Sequence, residues 1–181
     1  CQADRDLYKI SIQKQIREEK NITLISSMVS KLVIKKNKIE GIEILENKVL
    51  LAKSVVLTTG TFLNGIIHMG DKKFSAGRIN EEASNKLGEF LASLSLPMSR
   101  LKTGTPPRIK KNTINFDKLE EDIGDNKPEY FSIETKKTHN EQVSCFTTWT
   151  NKKTHELIKN SLPKSPLFNG TISSRGPRYC P

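Results

Sequence analysis

The chain of 181 residues reads as an α/β domain organised around a parallel sheet, for three reasons. In Ala52-Lys-Ser-Val-Val-Leu-Thr-Thr-Gly60-Thr-Phe-Leu-Asn-Gly65, a β-branched run ends in a Thr/Gly turn. A parallel strand covered on both faces shows such a continuous apolar run, and a glycine lets backbone approach a ligand at the strand's carboxyl end. In open α/β sheets that is where cofactors sit. The second reason is the order of segments: one helical pattern, four short β-like runs, a glycine-rich stretch and a second helical pattern. The third is composition. With 35% hydrophobic and 28% charged residues the chain can bury a core, and it has no apolar run near the ~20 residues of a membrane span.

Asp4 to Lys20 carries Leu7, Ile10, Ile12 and Ile16 among charges, which predicts an amphipathic helix capped near Asp4 and ended at Asn21. Ile22 to Ser26, Val29 to Lys35, Lys38 to Leu45 and Val49 to Leu57 follow as four β-like runs, parted by Lys/Asn turns or Gly41. Their order predicts a parallel strand, a small antiparallel meander and a return into the central strand, which ends at Thr58-Thr59-Gly60. Glycines 60, 65, 70 and 77 then recur with few periodic apolar residues, so residues 58 to 80 are expected to form a loop-rich shelf. Loops held by a rigid sheet are where sites form. Glu81 to Leu94 reads as a helix with Leu87, Phe90, Leu91 and Leu94 on one face, stopped by Pro97.

After Leu101-Lys-Thr-Gly-Thr-Pro-Pro-Arg108 the texture changes, and residues 109 to 142 are polar, with an acidic stretch from Asp117 to Asp125. A boundary is expected between residues 98 and 110, giving domains at 1–97 and 98–181. Lys153 to Ser161 predicts a further helix, and Ser173 to Pro181 is turn-rich. No G-x-G-x-x-G follows a strand, so the usual pyrophosphate cradle is missing from this stretch. Beginning in a helix approach and ending in a loop, the chain reads as an internal segment of a longer protein.

A net charge of +10 and a pI near 9.5 favour a polyanionic partner. Excess of lysine over arginine, together with many Asn and Ile, fits equally a compositional bias of the source genome. Cys1, Cys145 and Cys180 are odd in number and far apart, which suits a reducing compartment better than a disulfide framework. His68, His139 and His155 have no ligand spacing, and no metal site is expected. Nor is a membrane partner.

Several separate motifs point the same way: Gln2-Ala-Asp-Arg-Asp-Leu-Tyr8, Val55 to Gly65 with Ile67-His68 and Gly70, Arg100 to Arg108, Thr150-Asn151 with Thr154-His155, Ser165-Pro166, and Gly176-Pro-Arg-Tyr-Cys-Pro181. Together they closely resemble the MnmG/GidA family of FAD-dependent tRNA wobble-uridine modification enzymes, along essentially the whole chain. The resemblance implies part of a glutathione-reductase-like, Rossmann-type FAD-binding domain, followed by part of an inserted NAD-associated α/β domain. It further implies FAD, NAD(P)H and methylene-tetrahydrofolate as cofactor and donor. The GTPase MnmE would be a heterotetrameric partner, tRNA the substrate, and the full-length protein a homodimer. The location would be the bacterial cytoplasm, or an organelle in a eukaryote. The segment by itself is expected to be inactive. Two rivals remain: a folate- and FAD-dependent tRNA uridine-54 methyltransferase, and a noncatalytic RNA-binding module.

Within the motif, Cys180 is the implied catalytic residue. Uracil C5 is weakly nucleophilic, and a thiolate added at C6 activates it; Arg175 and Arg178 would favour that thiolate. A role for Cys180 in flavin chemistry is the alternative. Arg178 would hold an anion, either a nicotinamide-cofactor phosphate or an RNA phosphate, or stand solvated. By the same resemblance the NAD-associated segment opens at Gly176, Pro177, Arg178, Tyr179, Cys180 and Pro181, and Val29 and Ser84 fall at FAD-contacting positions. Ordinary packing would explain Val29, and an early helical place Ser84. Gly60 and Thr61 join them as flavin-proximal from the strand-end argument. Arg100, Lys102 and Arg108 surround a stiff Pro-Pro loop, where they would meet RNA or dinucleotide phosphate, or form a solvated rim. Cys145, Phe146 and Trp149 are expected to pack the second domain, and His155 to cap or pack its helix. His68 is a candidate for proton transfer beside the shelf.

Overall fold

The computed structural model describes residues 3–137 and 140–176. The chain divides into two compact units, Cys1–Met98 and Ser99–Pro181.

Unit 1 begins with α1 (Arg5–Glu18), and the Asp4 carboxylate accepts from the backbone N–H groups of Asp6 and Leu7, both at 2.9 Å. A short acidic side chain just before the helix satisfies donors that have no partner within it. The helix matches the sequence expectation, but its apolar stripe is uncovered: no residue of α1 is buried, and Leu7, Tyr8 and Ile10 are 49–63% exposed.

Strands β1 (Val29–Lys35), β2 (Lys38–Ile44) and β3 (Lys48–Leu51) form the expected antiparallel meander, in the order β1-β2-β3. Its first turn is Lys36-Asn37, and its second is a 3-10 turn, Leu45–Asn47, with Asn47 at φ 58°. At the centre of β2, Gly41 has φ 158°, and a Cβ there would strike the backbone carbonyl of Leu50. Lys31 faces Glu43 across the ladder, 3.0 Å from its carboxylate. That ammonium, with the Ser30 hydroxyl at 3.0 Å, holds Glu43 below the usual 4.5.

Two expected strands are corrected. Ile22 to Ser26 joins no ladder, and the run expected from Val49 to Leu57 pairs only as far as Leu51. No described residue hydrogen-bonds to Val55, Val56 or Leu57, and Val56 is 85% exposed. β-branched composition favours an extended backbone, but a ladder also needs a neighbouring strand. The shelf also differs from a plain loop. Within it β4 (Ile66–Met69) and β5 (Lys72–Ser75) form an antiparallel hairpin, closed at Gly70 with φ 55°. A two-residue hairpin turn requires such a positive φ, and glycine supplies it without strain.

The helix expected from Glu81 begins only at Asn85, as α2 (Asn85–Ser93). Upstream peptide groups are engaged elsewhere: Gly77 N–H donates to the Glu81 carbonyl, and Ser84 N–H to that of Phe62 at 2.8 Å. At its far end, Ser95 takes φ 57° just before Leu96-Pro97. α2 packs on β1, with Leu32, Leu87 and Leu91 buried and Val29, Ile39, Ile42, Val55, Leu63 and Phe90 around them. Leu87 and Leu91 lie one turn apart on the same face, and each such burial is worth roughly 1.5–3 kcal/mol.

In unit 2, 3-10 turns at Lys111–Thr113 and Phe116–Lys118 precede β6 (Glu120–Asp122), which pairs antiparallel with β7 (Cys145–Thr147). Phe116 and Phe146 meet edge to face at 4.8 Å. Trp149, expected to pack, is 85% exposed, and Cys145 and Phe146 are exposed as well. α3 (Lys152–Ser161) follows Asn151, whose side chain accepts from Thr154 N–H at 3.0 Å. No described residue of unit 2 is buried.

Candidate functional site

The shelf at the end of the Val55–Thr59 segment is assembled mainly from backbone hydrogen bonds. Phe62 N–H donates to the Thr59 carbonyl and Gly65 N–H to that of Phe62, each at 3.1 Å, which winds residues 59–65 into consecutive turns. Gly60 has φ 56°, and the space where its Cβ would stand is open for 4 Å. Thr61 Oγ1 donates to the Gly77 carbonyl at 3.0 Å. Ala76 N–H donates to the Gly65 carbonyl at 3.1 Å, tying hairpin β4–β5 to the same turns.

α2 is attached just as closely. Leu63 and Ser84 form a parallel bridge, and Asn85 Nδ2 donates to Ser75 Oγ at 3.0 Å. Gly65 and Gly88 are close-approach positions: a Cβ on the first would meet the carbonyls of Thr61 and Ala76, and on the second the Asn64 side chain. The Arg78 guanidinium stacks 5.7 Å from the Phe62 ring centroid.

Of the residues with an expected flavin role, Thr61 and Ser84 therefore stand on one hydrogen-bonded frame, with Gly60 leading into it. Val29 lies at the start of β1, half-buried against the Leu32–Leu87–Leu91 core on which α2 rests. A glycine at positive φ with open space beside it suits close approach by a flat ring, and to that extent these residues fit FAD. His68 is in β4, opposite Lys73 and half-buried.

In unit 2 a second arrangement joins segments far apart in sequence. Leu101 and Arg175 form a parallel bridge, and Lys102 N–H donates to the Arg175 carbonyl at 3.1 Å. Gly176 lies so close that a Cβ would strike the Lys102 carbonyl. The structure thus brings Arg100 and Lys102 beside Arg175 and Gly176, while Arg108 lies further along the same exposed stretch. Pro177, Arg178, Tyr179, Cys180 and Pro181 lie outside the described residues. His155 donates or accepts at Thr150 Oγ1, 2.7 Å away, while Asn151 provides the helix cap.

Sequence reasoning missed the roles of Ser75, Arg78 and Asn85 in bracing the shelf. Its one available signal was the Gly70-Asp71 pair between short apolar runs, a hairpin pattern that would have placed Ser75 on a strand beside the coming helix.

A family model described as glucose inhibited division protein A matches residues 1–181. The chain is 49% identical over 181 residues to a tRNA uridine 5-carboxymethylaminomethyl modification enzyme MnmG of Thermodesulfovibrio yellowstonii, and 42% identical to the protein of that name from Helicobacter pylori. In both alignments it is covered completely and spans 29% of the relative's length. Among solved structures, Aquifex aeolicus GidA in one crystal form superposes with a TM-score of 0.86 at 38% identity, covering 99% of this chain and 31% of that one. A second crystal form gives 0.83 at 37% identity.

Proposed function

Because this chain belongs to the glucose inhibited division protein A family, we propose that it is part of an enzyme that modifies C5 of the wobble uridine, U34, in tRNA. The match to relatives named for this modification, running through all 181 residues and both motif regions, carries the reading. The family is FAD-dependent and its fold is the α/β fold of GidA. The product proposed is a carboxymethylaminomethyl or aminomethyl uridine, formed with methylene-tetrahydrofolate as carbon donor, NADH as reductant and the GTPase MnmE in the complex. No described helix is long and apolar enough to cross a membrane.

Val29, Gly60, Thr61 and Ser84 would hold FAD, with the open side of the Gly60 turn left for the ring. When bound, the flavin supplies the redox chemistry by which the one-carbon unit becomes reactive. The Cys180 thiolate would add to C6 of an unstacked uracil, making C5 nucleophilic; once C5 has gained carbon and lost its proton, the thiolate leaves again. Arg178 and Arg175 would favour that thiolate, while Arg178 and the Gly176–Pro181 segment hold a nicotinamide cofactor phosphate. Arg100, Lys102 and Arg108 would meet RNA phosphates.

The test is nucleoside mass spectrometry of tRNA from cells whose own gene is replaced by the intact gene or by its Cys180→Ser variant. The wild type is expected to restore the modified wobble uridine, while the variant folds, holds FAD and leaves U34 unmodified. Full modification by the variant would remove Cys180 from the chemistry, and a 5-methyluridine at position 54 would replace the reaction altogether.

A further inference from the structure

Three lysines crowd the tightest turn of unit 1. Lys36 and Asn37 alone join β1 to β2, and Lys35 and Lys38 face each other at the closing position of the ladder. Both turn residues have positive φ, 47° and 60°. Turns of this hand are ordinarily built from Asn-Gly or Asp-Gly, because L side chains resist positive φ. Lysine at the first position therefore carries a conformational cost, and two lysines directly opposite carry an electrostatic one. At the other end of the same strands the arrangement is reversed, with Lys31 set against Glu43 at 3.0 Å. Among the described residues no carboxylate forms an ion pair with Lys35, Lys36 or Lys38, and residues 35–38 are all exposed.

We infer that the Lys35–Lys38 turn is a contact point for the phosphate backbone of RNA, separate from the shelf, which positions tRNA without reading its bases. Cations gathered at a local cost to stability, on a short turn held by ladder hydrogen bonds, form an electropositive point that a polyanion would relieve. Lysine is a point charge suited to a phosphate oxygen, and the turn has no aromatic ring on which a base could stack. Nor does its tip carry an apolar side chain for a lipid surface to take up. The inference rests on the tRNA reading above.

The experiment measures binding of the intact protein to a tRNA transcript, from about 50 to 200 mM salt, for the wild type, a K35Q/K36Q/K38Q variant and its arginine counterpart. The glutamine variant is expected to bind roughly tenfold more weakly at low salt, with a slope of log K against log salt smaller by about 2, since each phosphate contact contributes ~0.7–0.9. Its flavin content should be unchanged, and the arginine variant should keep the wild-type slope. Lys36→Gly, which keeps the backbone geometry and removes one charge, should lower the slope by somewhat less than 1. Wild-type affinity and slope in the glutamine variant would overturn the inference and leave the tRNA reading standing, as would weaker binding at an unaltered slope. Failure of the wild-type protein to bind tRNA at any salt would remove both.

Discussion

Unit 1 buries Leu32, Ala76, Ala83, Leu87 and Leu91, whereas in unit 2 Phe131, Ile133, Val143 and Trp149 are all at least 85% exposed. The shelf is therefore braced from beneath, by a helix packed on a sheet. The Arg100–Lys102 segment is joined to Arg175 by main-chain contact alone. Both units present expected site residues, but only in the first does apolar packing fix the frame that carries them. Geometry of the first kind is lost when a core side chain is removed, and of the second kind when two backbones are pushed apart.

The largest expected effect tests the core directly. Leu87→Ala should destabilise unit 1 by about 2–5 kcal/mol, whereas Leu157→Ala, at a position 70% exposed, should stay within about 0.5 kcal/mol. Denaturant titration of the intact protein, read by amide hydrogen exchange in each unit, measures both. A loss above about 1 kcal/mol at Leu157 would mean that α3 packs as a core helix does, and would erase the contrast.

Gly41→Ala is expected to cost about 1–3 kcal/mol, because its Cβ must displace the Leu50 carbonyl from the β2–β3 ladder. Gly176→Ala is the counterpart in unit 2, and there the expected result is faster exchange of the Lys102 amide with the remainder of the unit unchanged. Global unfolding by Gly176→Ala would show that this contact carries more than the segment it joins.

Smaller still are the helix caps. Asp4→Ala and Asn151→Ala should each cost about 1 kcal/mol, equally in the two units, since a cap needs no core beneath it. Far-ultraviolet circular dichroism through a thermal melt would detect an inequality.

The smallest effect concerns pH. Glu43 is held below its usual 4.5 by Lys31 and Ser30, so its contribution is present above the unfolded value and vanishes as pH falls through the folded one. Protection of β1 and β2 amides should decline in that window below pH 4.5, and Glu43→Gln should remove this part of the decline. An exposed pair is worth little, so an acid response that survives unaltered in the variant would assign it to other carboxylates.

Features governed by neighbours in sequence were the ones legible before the fold was known. Asp4 and Asn151 cap helices because a short polar side chain reaches back to an amide two or three residues on. The meander followed from alternation broken at Lys36-Asn37 and Leu45–Asn47. Val55 to Leu57, by contrast, had the composition of a strand, but pairing depends on a partner that composition does not name. Residues 81–84 looked helical because their side chains allow it, yet their peptide groups are committed to Phe62 and Gly77. For the site, the strand-end argument located the Gly60 turn, while the bracing by Ser75 and Asn85 depends on a hairpin returning to meet a helix. The meeting of Lys102 with Arg175 was suggested only by the motifs' shared family, because no local pattern links residues so far apart.

Most struts of the shelf end on peptide atoms: Ser84 on Phe62, Ala76 on Gly65, Gly77 on Glu81. Such a mould is largely indifferent to the chemistry hung from it. Substitutions around the rim can retune what the hollow accepts while its contour is inherited intact. Gly65 and Gly88 are the exceptions, since there the absence of a side chain is itself part of the shape.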